Sequence, residues 1–242
     1  MLSIIIPTLN AAKELPETFN SLMPALIDGM ISEVIIVDGG STDETLKIAE
    51  ISGATIIKSE NSTTEPGANT DIKGRGPQLR AGGDAAKKDW LLFLHADTLL
   101  EEGWHEEVRD FITNAEENTS DQNTAAVFTF ALKDKSLAQF TVEKMVSLRC
   151  RILSLPYGDQ GLLISKQTYQ AIGGFAPLPI MEDVDIVRRI PSLKILKSRA
   201  ITSASRYKKD GYIKRISRNL YCIGAYYYGI NPEKIHKIYH KS

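Results

Sequence analysis

The chemistry-bearing residues of this 242-residue chain fall into a few short clusters. Asp38, in Asp38-Gly39-Gly40, and Asp97, in His95-Ala96-Asp97-Thr98, each follow a run of apolar residues. Asp97 suits an oxygen-seeking cation, because Mg2+ or Mn2+ is held by one or two carboxylates while substrate phosphates and water complete the shell. Such an ion would neutralise a phosphate leaving group as it develops charge. Asp38 suits acceptance of a hydrogen bond from an imide N–H or a ribose hydroxyl. Arg75 and Arg80, with Lys73, accompany Gly74-Arg75-Gly76-Pro77, and guanidinium groups on a loop of this kind can bind phosphate in bidentate fashion. Met181-Glu182-Asp183-Val184-Asp185 places three carboxylates in four positions, where crowding raises a pKa toward that of a useful general base. Tyr157-Gly158-Asp159-Gln160-Gly161 is a polar turn whose glycines permit close approach of backbone. Each cluster also has a plainer reading: helix caps at Asp38 and Asp97, an exposed turn at 74–77, an acidic first helical turn at 182–185 and an ordinary tight turn at 157–161.

The elements that must position these residues alternate. Residues 2–6 are a continuous apolar run, ended by Pro7, that reads as a buried strand, residues 33–37 and 90–94 read as further buried strands, and 54–58 reads as a shorter one. Between them, Leu15, Phe19, Leu22, Met23, Leu26, Ile27 and Met30 follow helical spacing. Ser41-Thr42-Asp43-Glu44 reads as a capping box opening a helix that Gly53 should stop. A polar loop at 59–74 leads into a helix over 75–88. Strands apolar on both faces, separated by helices, predict a mainly parallel sheet with helices on both sides. In such a sheet ligands sit beyond the carboxyl ends of the strands, so Pro7-Thr8-Leu9-Asn10, Asp38 and Asp97 should face one crevice. The second half is less regular. It reads as helices over 104–117, 136–153, 166–172, 182–190 and 210–228, with strands over 125–132, 162–165 and 194–197. Ile213, Ile216, Leu220, Ile223 and Tyr227 fall on one side of the 210–228 helix, and Asn231-Pro232 has the signature of an N-cap with a first-turn proline. No repeat or linker appears, so residues 1–242 read as one domain.

Hydrophobic residues make up 43% and charged residues 24%, which excludes a disordered chain, a fibre or a coiled coil. No apolar run approaches the length of a membrane-spanning helix. The N-terminus has neither a basic region nor a small-residue cleavage site, and Cys150 and Cys222 make no disulfide framework, so a reducing cytoplasmic location is expected. Net charge is −1, but it is unevenly spread. Residues 188–242 carry 14 Lys+Arg against 2 Asp+Glu, and the first 187 residues carry 15 against 28. The basic tail should meet something anionic: a phosphorylated substrate, an anionic membrane surface at the inner membrane face, or the acidic body itself. Gly-x-Gly-x-x-Gly and the P-loop signature are absent, which argues against a Rossmann dehydrogenase and a P-loop enzyme. His236 and His240 lack a third ligand and read as a solvated helix face. No Gly-x-Ser-x-Gly elbow exists, so serine or cysteine nucleophiles are disfavoured.

Residues 3–10, 33–45, 90–98 and 158–185, taken in order, resemble family-2 glycosyltransferases. Residues 74–83, 92–98 and 157–161, Gly173-Gly174-Phe175 and residues 179–185 resemble more narrowly a small stand-alone bacterial subgroup. The resemblance implies an α/β fold of GT-A type, with a mainly parallel central sheet and helices on both faces, as in nucleotide-diphospho-sugar transferases. It implies that residues 1–98 bind a nucleoside-diphosphate sugar, a UDP- or GDP-sugar. Asp38 would contact the base, with Pro7, Thr8, Asn10, Gln78, His95 and Ala96 along the same pocket and Arg75 at the phosphates. Asp97 would hold Mn2+ or Mg2+ as the second carboxylate of an Asp-x-Asp site whose first position is His95. Asp183, with Glu182 beside it, would be the catalytic base of the half spanning 99–205, and Gly158, Asp159 and Gln160 the donor and acceptor loop. Departures from the family pattern are His95, the Gly39 that replaces a commoner Asp, and Leu9 where an aromatic is frequent.

The expected reaction is metal-assisted, inverting transfer of a sugar to an acceptor hydroxyl. Arg206 and Tyr207, after the last strand, are expected to close over the diphosphate. The tail, 206–242, has an apolar helical stripe amid Lys208, Lys209, Lys214, Arg215 and Arg218, with Tyr226, Tyr227 and Tyr228 at its end. It reads either as part of the core, as a dimer contact, or as a helix lying on a membrane before a lipid-linked acceptor. No nucleic-acid partner is expected, and the oligomeric state stays open. Two alternatives accompany this reading: a catalytically weak sugar-nucleotide-binding protein, which His95 leaves room for, and a sugar nucleotidyltransferase. The second lacks its expected Gly-rich, Arg-bearing loop at residues 7–12.

Overall fold

The computed structural model describes residues 1–58, 74–118, 123–134, 139–140, 142–144, 146, 150, 156, 158–204 and 211–240. Lys73, Tyr157, Arg206, Tyr207, Lys208 and Lys209, singled out above, lie outside the described residues, as do the 59–73 loop and much of the 136–153 helix.

The first half builds β1 (Leu2–Thr8), α1 (Leu15–Ile27), β2 (Ile31–Asp38), α2 (Thr45–Ile51), β3 (Thr55–Lys58), α3 (Arg75–Ala85) and β4 (Trp90–Phe93). The second half builds β5 (Thr98–Leu100), α4 (Trp104–Glu117), β6 (Thr124–Leu132), β7 (Leu162–Ser165), α5 (Lys166–Ala171), α6 (Glu182–Arg189), β8 (Ser192–Thr202), α7 (Tyr212–Tyr227) and α8 (Pro232–His240). A single 3-10 turn, Gly158–Gln160, precedes β7. The eight strands form one sheet in the order β3-β2-β1-β4-β7-β6-β8-β5. The first four in that order run parallel, β7 is antiparallel to both its neighbours, β8 is parallel to β6, and β5 is antiparallel to β8.

The continuous apolar runs are buried on both faces, as an internal parallel strand requires. Leu2, Ile4 and Ile6 of β1 pack with Leu92, Leu15 and Leu22 of α1, and Trp104 and Val108 of α4. Ile5 points to the opposite face, where it joins Leu79 of α3, Phe93, Tyr169 of α5 and Ile186 of α6. Pro7 lies inside β1 rather than ending it, paired with Val37 of β2. The β1–β4 pairing stops at Ile5–Phe93, so at Pro7 that flank of the strand has no ladder to break.

Several boundaries differ from the reading above. The inward residues of α1 are Leu15, Thr18, Leu22 and Ala25, whereas Met23, Leu26 and Ile27 are exposed. The capping box does not form as read, because α2 begins at Thr45, with Asp43 accepting the Thr45 N–H and the Ala12 N–H. Gly53, at φ +73, does stop α2. Strand β8 runs well beyond 194–197, and its charged middle is held by the Glu107 carboxylate, which accepts the N–H groups of Lys197 and Ser198. β5 was not anticipated. Asn231 caps α8 as read, its side-chain oxygen accepting the Glu233 N–H (2.8 Å).

Candidate functional site

Because β2, β1 and β4 are adjacent and parallel, their carboxyl ends put Thr8, Asp38 and His95-Ala96-Asp97 on one edge of the sheet. β7 runs the other way beside β4, with Leu162 opposite Phe93, so the turn that precedes β7 arrives at that same edge.

Asp38 is buried, and its carboxylate is occupied by its own surroundings. Oδ1 accepts the Thr8 hydroxyl (3.0 Å) and the Ser41 hydroxyl, and Oδ2 accepts the N–H groups of Gly40 (2.9 Å) and Ser41 (2.8 Å). Four donors match the lone-pair capacity of a carboxylate, so a contact to an incoming base would exchange one of these bonds. Asn10, at φ +52, locks the loop after β1 to the loop after β2. Its side-chain oxygen accepts the Thr42 N–H (2.8 Å) and its own N–H donates to the Ser41 hydroxyl (2.8 Å). Gln78 lies on α3 and is buried; its amide donates to the carbonyls of Thr8 (2.9 Å) and Val37 (2.8 Å), tying together the ends of β1 and β2. Pro7 is buried in its strand.

Arg75 is on the first turn of α3, and Arg80 is on the same helix, not on a loop. Neither guanidinium is loose. Arg80 donates to the Phe175 carbonyl (3.2 Å). Arg75 Nε meets Glu182 Oε1 at 3.0 Å, with the Arg75 side chain 42% exposed and that of Glu182 1% exposed. Its Nη1 also lies 3.2 Å from His95 Nε2. For the guanidinium to donate there, that ring nitrogen must carry no proton. The glycines beside Arg75 are required by close packing. A Cβ on Gly76 would stand 2.4 Å from the Leu178 carbonyl oxygen and 2.6 Å from that of Ala176, and one on Gly74 (φ +148) 2.7 Å from Pro179 Cα. The 176–179 segment therefore rests directly on the start of α3 and delivers Glu182 to Arg75.

Glu182 and Asp183 open α6 after Met181, which adopts φ +66. Burial pushes the Glu182 carboxyl above the ordinary carboxylate range, Arg75 pulls it back, and the neighbouring Asp183 pushes it up again. Its Oε2 is buried without a hydrogen-bond partner. In turn the Glu182 charge raises the already high pKa of Arg75, burial opposes that, and Asp183 adds to it. Asp183 Oδ2 accepts the Gly158 N–H (2.9 Å) and Oδ1 the Val184 N–H (2.8 Å). Gly158 fits a narrow gap, since a Cβ there would meet His95 Nε2 at 2.8 Å and Asp183 Cβ at 3.7 Å. The third carboxylate of the cluster, Asp185, turns away to Arg189 and the Tyr226 hydroxyl.

His95, Gly158, Glu182 and Asp183 line one pocket with an apolar floor that includes Phe93, Phe175 and Ile186. Asp38 and Asp97 do not line it. Asp97 is half-buried on the turn from β4 to β5, and the Ala96 carbonyl beside it accepts the Thr18 hydroxyl (2.7 Å). Gln160 points into the body, donating to the Phe128 carbonyl (2.9 Å) and accepting from the Cys150 thiol (3.1 Å), while Asp159 contributes to the field at Arg75. Thr18 escaped the sequence reading, as did the packing of the 176–179 segment on the start of α3. Pro177-Leu178-Pro179 was the available signal, since it stiffens the chain just before the carboxylates.

The mixed α/β sheet, with Asp38 at the end of β2 and Asp183 on α6 beside the turn before β7, is a fold of GT-A type. The chain belongs to glycosyl transferase family 2: the model described as "Glycosyl transferase family 2" matches residues 3–145. Among curated relatives, it is 42% identical over 104 residues to a PGL/p-HBAD biosynthesis glycosyltransferase of Mycobacterium bovis, covering 42% of this chain and 37% of that protein. It is 31% identical over 98 residues to a glucosyl-3-phosphoglycerate synthase of Mycobacterium tuberculosis, covering 40% and 29%. The chain thus matches well under half the length of these relatives. Among solved structures, S. aureus TarS 1-349 in complex with UDP is similar at TM-score 0.59 and 19% identity, over 84% of this chain and 61% of that one. Glucosyl-3-phosphoglycerate synthase in complex with Mn2+, UDP and glucosyl-3-phosphoglycerate is similar at TM-score 0.52 and 19% identity, over 81% and 70%. At these identities the likeness shows the fold.

Proposed function

We propose that this family-2 protein transfers a glycosyl unit from a nucleoside-diphosphate sugar, a UDP- or GDP-sugar, to an acceptor hydroxyl with inversion at the anomeric carbon. The observation that carries the reading is Asp183. Its carboxylate is fixed by two backbone N–H groups, and the residue lines a pocket together with His95 and Glu182. Backbone donors hold the carboxylate in one orientation, the positioning that a general base needs. Asp183 takes the proton from the acceptor hydroxyl as that oxygen forms its bond to the anomeric carbon. The bond from that carbon to the diphosphate oxygen breaks on the opposite face, and the nucleoside diphosphate leaves with the electron pair.

The remaining residues bind and orient. Arg75, held by Glu182 and 42% exposed, presents guanidinium N–H groups to the diphosphate. Asp38, Asn10 and Gln78 act by fixing the two loops that flank the nucleotide. The residues present fit a divalent ion of the Mn2+ or Mg2+ kind. Asp97, half-buried on the turn that follows β4, offers a carboxylate at the sheet edge, and an ion of this kind takes one or two protein carboxylates with diphosphate oxygens and water for the rest. When bound, it supplies charge neutralisation at the leaving group. UDP, bound in the solved structures of TarS and of glucosyl-3-phosphoglycerate synthase, is the first nucleotide to try.

Melting curves with UDP, GDP and their sugar conjugates, with and without Mn2+, identify the donor, since a ligand present at 100 times its Kd stabilises by about 2.7 kcal/mol. With that donor, Asp183→Asn is expected to lower turnover roughly 10²–10⁴-fold while nucleotide binding persists. Unchanged turnover would reject Asp183 as the base. Release of pyrophosphate instead of nucleoside diphosphate would favour a nucleotidyltransferase, and binding without turnover a sugar-nucleotide-binding protein.

A further inference from the structure

The basic tail divides its faces. On the inner side, Cys222 and Ala225 of α7 and Ile235 of α8 form a cluster with Ile180, Met181 and Val184, so both helices pack against the start of α6. The described charges near that contact are partnered: Tyr226 donates to Asp185 and Arg218 stacks on the Tyr239 ring. The outer side is different. Lys214, Ser217, Leu220, Tyr221, Gly224, Tyr227 and Tyr228 recur at the three- and four-residue spacing of one helical face, and all are exposed. Leu220 is 55%, Tyr221 57% and Tyr228 91% exposed. On α8 the exposed residues include Lys234, Lys237 and Ile238. Between 211 and 240 the charged residues are Lys214, Arg215, Arg218, Lys234 and Lys237 against Glu233 alone.

We propose that this outer face of α7 and α8 is a docking surface for an anionic membrane. Three features select that occupant. Tyrosine rings with free polar tips suit the headgroup boundary, where one end is apolar and the other wet. The lysines complement anionic headgroups, whereas a second copy of the same face would set lysine against lysine across a two-fold contact. No described helix is long and apolar enough to cross a membrane, so the contact is one of lying on the surface. The inner face of the same helices holds α6, so a docked tail sets Asp183 about one helix layer from the membrane, a distance that suits a lipid-linked acceptor. That last step alone rests on the transferase reading; the docking does not.

The test is co-sedimentation of the full chain with vesicles of equimolar phosphatidylcholine and phosphatidylglycerol, against vesicles of phosphatidylcholine alone, without substrate. Binding to the anionic vesicles that weakens with added salt is expected. The Lys214→Gln, Lys234→Gln, Lys237→Gln triple variant is expected to bind roughly 100-fold more weakly, each lysine near the surface being worth about 1 kcal/mol. Leu220→Ser, Tyr221→Ser, Tyr228→Ser together should also release the protein, with the melting temperature held because all three side chains are exposed. Wild-type protein that stays in the supernatant overturns the proposal. So does a lysine variant that binds like wild type, or a concentration-dependent dimer that the serine variant dissociates.

Discussion

Replacing Arg75 by Met would isolate a buried carboxylate and expose what holds it. Glu182 is 1% exposed and has its Oε1 3.0 Å from the Arg75 guanidinium. Removing one partner of a buried pair costs about 3–5 kcal/mol. Arg75 is 42% exposed, so water already screens the pair, and about 2–3 kcal/mol is the expected loss. That loss depends on pH in a definite direction. The folded-state pKa of Glu182 lies above the ordinary 4.5 because burial disfavours its charge. The stability associated with its proton is fully present below the unfolded value and is lost as pH rises through the folded one. Arg75 is the group that pulls the folded value back, so its removal moves that value up and extends the loss toward neutral pH. One proton limits the slope to about 1.4 kcal/mol per pH unit, so about two units of pH suffice to develop the whole deficit.

The assay is urea unfolding of wild type and Arg75→Met from pH 5 to pH 8, followed by the Arg75→Met, Glu182→Gln double variant. The single variant should approach wild type at the acid end and fall behind as pH rises. The double variant should recover most of the deficit at pH 8, since a neutral amide needs no counter-charge. A deficit equal at all pH values, or a double variant no more stable than Arg75→Met, would refute the reasoning and place the role of Arg75 at His95 instead.

Gly76→Ala should destabilise by about 1–3 kcal/mol, because the new Cβ meets two backbone carbonyl oxygens at 2.4 and 2.6 Å; thermal melting reads the loss, and unchanged melting would deny that 176–179 rests on α3. Gly224→Ala on the exposed face of α7 meets nothing within 4 Å and should stabilise by up to about 1 kcal/mol through helix propensity alone. Asp97→Ala should remove the Mn2+-dependent part of the melting shift given by the nucleotide while leaving the fold intact; a retained metal effect would reject Asp97 as the ligand.

The parallel half of the sheet was legible because its strands are apolar on both faces, and only an internal strand buries both. Ile4 and Ile5 go to opposite clusters, so the run Leu2–Ile6 carries no alternation to mistake for an edge. The strand ends then follow, and with them the positions of Asp38 and His95-Ala96-Asp97. The other half resisted for a physical reason. β8 carries Lys194, Lys197 and Arg199, and its backbone is satisfied by Glu107 and Glu101, which are distant in sequence. No local pattern announces bonds of that kind. In α1 the inward face is set by the small Thr18 and Ala25, so the larger Met23, Leu26 and Ile27 that mark a stripe in the sequence are the ones left outside.

The glycines of Gly74-Arg75-Gly76 carry the same lesson. Read locally they suggest a mobile phosphate loop, yet a Cβ at Gly74 or Gly76 would collide with backbone from Ala176 to Pro179. That collision couples the two halves of the chain. The start of α3 supplies the floor on which the 176–179 segment rests, and the segment leads through Ile180 to Met181, a non-glycine residue held at φ +66. Such a conformation persists only where its surroundings over-determine it. Here the surroundings are on both sides: α3 below through Glu182 and Arg75, and the tail above through Cys222, Ala225 and Ile235, which pack with Met181. The basic tail is therefore part of what holds the start of α6, on which Asp183 sits.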